Sequence, residues 1–131
     1  MSHQKSKKAS ILRFNKTINK FLDELHKILP NEKDIKIFQS QIDVALMFDE
    51  SKVLKSFIQF VSPYKQQIID KDEKFFLGDN VEIEKDYMSQ AIHLTDLWKN
   101  KLSNENKLIV WKYFQVLVIL ADKHIKQFMC G

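Results

Sequence analysis

Leu108-Ile109-Val110-Trp111-Lys112-Tyr113-Phe114-Gln115-Val116-Leu117-Val118-Ile119-Leu120 decides the fold class. Wound as a helix, this run is apolar on nearly every side and is interrupted only by Lys112 and Gln115. A helix of that kind lies at the centre of a bundle or in a membrane. Crossing a bilayer takes about 20 apolar residues. This run is shorter and carries a lysine, so it reads as a buried core helix. The helical pattern extends from about Glu105 to Phe128, and Ser103-Asn104-Glu105-Asn106 reads as the loop and cap that open it.

Working outward, the same three-and-four spacing of apolar residues recurs. Ile11, Phe14, Ile18, Phe21, Leu22, Leu25, Ile28 and Leu29 mark a first amphipathic helix, with Ser10 as its expected N-cap and Pro30 as its stop. Asn31 or Asp34 can cap a second helix in which Ile35, Phe38, Ile42, Ala45, Leu46 and Met47-Phe48 follow helical spacing. Asp49-Glu50-Ser51 breaks that run and opens a third, in which Val53, Leu54, Phe57, Ile58 and Val61 face inward and Lys52, Lys55 and Gln59 face out. Ser62-Pro63 then has the form of a new helix start, a capping hydroxyl before a proline at the first helical position. Beyond it Tyr64, Ile68, Phe75 and Phe76 are expected on the core, Phe75-Phe76 near Trp111 or Phe114. Asp70 and Lys74 stand four apart, a spacing that suits an exposed helical pair. Gly78-Asp79-Asn80 is a turn signal. Residues 81–86 alternate in polarity and suit a brief extended segment, and a helical pattern resumes from Tyr87 to Lys101. Together these predict an all-α fold: a single-domain bundle of five to six helices around the central apolar C-terminal helix. Residues 1–10 are expected as a basic flexible tail and 11–131 as the helical domain.

Composition supports that class. The chain has 131 residues, enough for one domain with a real core, and its two glycines and two prolines are too few for a sheet built on many tight turns. The net charge of +4 is uneven. Lys5, Lys7, Lys8, Arg13, Lys16 and Lys20 lie in the first 20 residues, which hold no acidic residue; the rest of the chain is slightly acidic. Those six are the candidate nucleic-acid contacts, because a cationic arm binds phosphate backbones without reading bases. A single cysteine, Cys130, allows no disulfide framework and fits a reducing compartment. The opening residues lack the apolar core of a secretory signal, and no membrane association is expected. Of the 21 basic residues 20 are lysine, beside 14 Ile and 10 Phe, the bias of an AT-rich genome.

Known chemistry finds little purchase. His93 and Asp96 could share a helix face, but two ligands do not make a zinc site. A calcium loop started at Asp70 puts Phe75 where glycine is required and Val81 where the bidentate glutamate belongs. Gly78 and Gly131 cannot build a phosphate-cradling loop. Acidic neighbours such as Asp23-Glu24 diverge on a helix and form no acid/base pair. No metal, cofactor, small-molecule substrate or catalytic activity is expected. Trp111-Lys112-Tyr113-Phe114 interleaves aromatics with lysine, and at helical spacing it reads as core.

Three stretches carry a resemblance: Leu29-Pro30-Asn31-Glu32-Lys33-Asp34-Ile35; Pro63-Tyr64-Lys65 with Ile68, Ile69 and Lys71-Asp72-Glu73-Lys74-Phe75-Phe76-Leu77; and Val110-Trp111-Lys112-Tyr113-Phe114 with Val116-Leu117. In this order, over about Leu12 to Lys123, they resemble uncharacterised small helical proteins of giant nucleocytoplasmic large DNA viruses. The resemblance implies a viral protein of the host cytoplasm or viral factory, with packaging in the virion a further implication. It brings no assigned activity. The function expected is therefore a non-enzymatic interaction or structural protein acting through a helical surface, on a viral or host protein or as a homo-oligomer. The exposed side of Ser62–Gly78, with Tyr64, Lys71, Asp72 and Glu73, is the candidate surface. Nucleic-acid association through residues 1–20 is the alternative. A Bcl-2-like apoptosis regulator is a second alternative, although the Gly-Arg signature of that family's groove is missing.

Overall fold

The computed structural model of the chain describes residues 2–77 and 94–129, and side chains from residue 4 in the first segment and residue 95 in the second. All regular structure among the described residues is helical. The elements are α1 (Ser2–Ile28), α2 (Lys33–Phe48), α3 (Lys52–Val61), α4 (Lys65–Ile69), α5 (Leu94–Asp96) and α6 (Asn104–His124). A 3-10 turn, Ser62–Tyr64, joins α3 to α4; π-helical turns extend α5 over Leu97–Lys101 and α6 over Ile125–Met129. The fold is the expected all-α single-domain bundle. Gly78-Asp79-Asn80, residues 81–86, the start of the Tyr87–Lys101 helix, His93 and Cys130 lie outside the described residues.

α6 is the element the others wrap, packing along α1, α3 and α4. Val110, Trp111, Phe114, Leu117, Val118 and Ala121 are buried. Its apolar run is not buried all round, however: Leu108, Val116 and Ile119 stay exposed on the side that also carries Lys112. Ser103 Oγ accepts from the Asn106 backbone N–H at 3.1 Å, the expected cap. Phe14, Ile18, Phe21, Leu22 and Leu25 of α1 supply the facing stripe.

Three boundaries differ from the expectation. α1 starts at Ser2 rather than after Ser10. Residues 2–10 contain no glycine or proline, and lysine and alanine propagate a helix at little cost once it is nucleated. Ser10 is thus mid-helix, and its hydroxyl meets His124 Nδ1 at 3.0 Å instead of capping. At α2, Glu32 occupies the N-cap position without a side-chain cap bond, so neither Asn31 nor Asp34 caps. Ser62 is no N-cap either: its backbone is helical (φ −51°, ψ −46°) and closes α3, whereas an N-cap needs an extended backbone. Its hydroxyl donates back to the Ile58 carbonyl at 2.6 Å. Pro63 then tightens the chain into the 3-10 turn, since it has no N–H for an α-helical bond.

Candidate functional site

The segment after Pro63 carries the densest aromatic packing in the described structure. Phe75 and Phe76 are fully buried. Phe75 meets Phe114 edge-on at 5.7 Å, and Phe76 meets Trp111 at 4.8 Å and Phe114 at 5.4 Å. The anchor lies where the sequence places it. Trp98, from the π-helical turn after α5, closes the cluster by stacking on Phe76.

The charges beside that anchor have structural work. α4 ends in a Schellman motif: the Lys71 N–H donates to the Ile68 carbonyl at 3.2 Å and the Asp72 N–H to the Gln67 carbonyl at 2.8 Å. Lys71 occupies the left-handed position that glycine usually takes, with φ 54°. The Asp72 carboxylate accepts from the Lys74 N–H at 3.1 Å and opens the next 3-10 turn. Glu73 reaches Lys107 at 3.8 Å, and Lys107 lies over the Trp98 ring, 5.3 Å from its centroid. Asp70 is engaged by the Gln66 side chain at 3.0 Å. α4 ends at Ile69, so Asp70 and Lys74 share no helix face. Tyr64, expected on the interaction surface, is buried and packs its ring against Phe75 at 5.6 Å. Lys71 and Asp72 therefore help turn the chain, and Glu73 ties this segment to α6.

A cavity opens elsewhere. A groove of about 380 Å³ lies between α1, α2 and α3, walled by Ile18 and Leu22, by Ile42 and Ala45, and by Val53 and Phe57. Its walls are mostly carbon, and Lys52 brings a charge to the rim. Outside the groove lining, α2 also carries an apolar row that the core does not use. Ile37, Val44 and Phe48 recur at steps of seven and four, on the side away from buried Ile35 and Ile42. Val44 is 54% exposed, Met47 83% and Phe48 88%. The opposite flank of α2 is fixed by a polar cluster. The buried Gln39 amide donates to Asn19 at 2.9 Å and to Asp23 at 2.8 Å, tying α2 to α1.

A second cleft, of about 340 Å³, forms where the N-terminal half of α1, the α2–α3 corner and the end of α6 meet. His124 is buried there beside Ser10. Burial, then the charge of Lys7, holds its imidazole below the usual histidine range. The Ser51 hydroxyl, then the Ser51 N–H, keeps the Asp49 carboxyl low. The Asn15 amide reaches the Glu50 carbonyl at 2.9 Å. Among the described residues no group of three or more His, Cys, Asp or Glu is placed to hold a metal ion.

The six N-terminal cations, Lys5, Lys7, Lys8, Arg13, Lys16 and Lys20, are all exposed on α1, and Lys7 also lines the His124 cleft. No described helix is long and apolar enough to cross a membrane. Comparisons with protein-family models, with curated proteins and with solved structures find no match to this chain.

The groove and the Ser10–His124 contact were not visible in the sequence. The groove's walls come from three helices whose apolar residues all read equally as core. The one local sign was the apolar excess of Ala45-Leu46-Met47-Phe48 at the end of α2, more than one helical stripe can bury.

Proposed function

We propose that this chain is a non-enzymatic protein-interaction module that accepts a short apolar segment of a partner protein in the α1–α2–α3 groove. The observation that carries the reading is the groove itself, together with the exposed Ile37, Val44 and Phe48 on the same helix α2. An apolar groove on a helix that also exposes a row of apolar side chains marks an interaction surface, since single exposed side chains are common but rows of them are not. The partner segment that fits is an amphipathic helix. Its aliphatic ridge would enter between Ile18 and Phe57, and a carboxylate at its edge would meet Lys52. The resemblance of the three quoted stretches to giant-virus proteins supports a setting in the host cytoplasm or viral factory.

A peptide-display selection against the folded chain tests this, followed by competition on Ala45→Trp, which fills the groove from α2. Enriched sequences should show apolar residues at helical spacing and lose at least tenfold in affinity on Ala45→Trp. Peptides that bind both forms equally, or selection of acidic or basic sequences without an apolar ridge, would overturn the reading. A BH3-type helix belongs in the panel, because a Bcl-2-like regulator would use a groove in the same manner.

A further inference from the structure

Because α1 begins at Ser2, the cations expected on a loose arm are held in register on a helix. Lys5, Lys16, Lys20 and Lys27 follow one another at steps of eleven, four and seven, each of which returns to nearly the same side of a helix. Arg13 stands three residues before Lys16 and flanks the row. All five are exposed, on the side away from buried Ile18, Leu22 and Leu25. At 1.5 Å per residue the row from Lys5 to Lys27 runs roughly 33 Å, close to one turn of a nucleic-acid duplex. Asp23 lies within the row, seven residues after Lys16 and four before Lys27, and one of its oxygens accepts from Gln39 at 2.8 Å. Glu24 stands eleven residues after Arg13, on the same flank.

We infer that the outward face of α1 binds the phosphate backbone of a nucleic-acid duplex, with Arg13, Lys16 and Lys20 at its centre. Three arguments converge on that ligand. Like charges three and four residues apart repel along a helix, at a cost of a few tenths of a kcal/mol per pair, and α1 has no acidic residue before Asp23 to offset this. A polyanion with one charge per roughly 1.7 Å of duplex axis relieves that repulsion and releases counterions in doing so. A membrane surface is the poorer fit, because an interfacial helix must insert an apolar face, and Phe14, Ile18, Phe21 and Leu22 of α1 are already buried in the bundle. Lysine point charges on one rigid face position a backbone and carry no base readout, so the binding is sequence-independent and does not distinguish DNA from RNA by base contacts. Lys7, which lines the His124 cleft, lies on the opposite side of α1 from this row.

The test is fluorescence anisotropy of the full chain with labelled DNA and RNA duplexes of about 20 base pairs, between about 50 and 200 mM salt. Vesicles containing phosphatidylserine serve as the second arm. The slope of log affinity against log salt should be about −4 for both duplexes. Lys16→Ala/Lys20→Ala should weaken binding at low salt at least tenfold and bring the slope about two closer to zero. Lys74→Ala/Lys99→Ala, which removes the same charge from other elements, should leave the slope unchanged. Alanine at exposed helix positions preserves the fold, checked by circular dichroism. The inference is overturned by an unchanged slope in Lys16→Ala/Lys20→Ala, by equal losses in both double variants, or by binding to vesicles with none to either duplex.

Discussion

Phe76 lies flat against Trp98, with ring centroids 4.0 Å apart and 15° between the planes. Both side chains are fully buried, and Trp111 meets both edge-on, at 4.8 Å from Phe76 and 5.2 Å from Trp98. The stack joins the segment after α4 to the π-helical turn after α5, and both to α6. It is therefore a tertiary clasp among three stretches that local structure alone would not hold together. Phe76→Ala should cost about 3–5 kcal/mol, and Phe76→Leu, which keeps most of the volume, about 1–1.5 kcal/mol. Urea denaturation followed by tryptophan fluorescence reads both. A loss under about 1 kcal/mol in Phe76→Ala would mean that the clasp is not part of the cooperative core.

Lys71 holds a positive φ of 54° at the end of α4. A β-carbon in that region costs about 1 kcal/mol, which glycine escapes at the expense of a more flexible unfolded chain. Lys71→Gly should therefore stabilise the fold by about 0.5–1 kcal/mol, while Lys71→Val should destabilise it by more than that. Thermal melts of the two variants against the parent decide it. If valine is tolerated, the Schellman geometry is not maintained in solution.

His124 provides the pH dependence. Its folded-state pKa lies below the ordinary value of 6.5 because the ring is buried, with Lys7 adding to the effect. The unfolded chain therefore takes up the proton first on acidification. Its contribution is complete above about pH 6.5 and is lost as pH falls through the lower folded-state value. The urea midpoint should drop between about pH 7.5 and 5.5, and His124→Gln should flatten that part of the profile. A variant profile as steep as the parent's would assign the acid lability to other histidines.

How much of this was legible in the sequence depends on the range over which each residue acts. Trp111 and Phe114 announced themselves, because a run apolar on nearly all sides has to be packed against something. Phe75-Phe76 followed as its partner for the same reason. Lys71 did not, since nothing marks a lysine as the residue that will take a left-handed backbone. Ser62-Pro63 misled because the same dipeptide that opens a helix also closes one, and the choice rests on whether the preceding helix still has core to cover; Val61 and Tyr64, both buried, show that it does. Ser10 and His124 stand 114 residues apart and carry no periodic signal. The groove is a gap between faces that were each correctly read as apolar. What periodicity cannot supply is how closely three such faces approach one another.

Gln115 illustrates the same point and can be tested most sharply. It interrupts the apolar run of α6, yet it is placed for the bundle: its amide donates to the Ile68 carbonyl at 3.3 Å and to the Ile69 carbonyl at 3.1 Å. Both belong to the last turn of α4, whose carbonyls lack the usual helical partners; the Ile68 carbonyl also accepts from the Lys71 N–H. Gln115→Ala should cost about 0.5–1.5 kcal/mol by removing the donor. Gln115→Glu is the more telling change, since at neutral pH it points an acceptor at two acceptors and should cost about 2–3 kcal/mol. Protonation restores a donor, so the folded-state pKa of the introduced carboxyl is raised above its unfolded value of about 4.3. The donor's stabilisation is then present below that value and lost as pH rises through the folded pKa. The gap between Gln115→Glu and the parent should therefore narrow on going from about pH 7 to about pH 4. A gap that is constant across that range would show that Gln115 does not hold the end of α4.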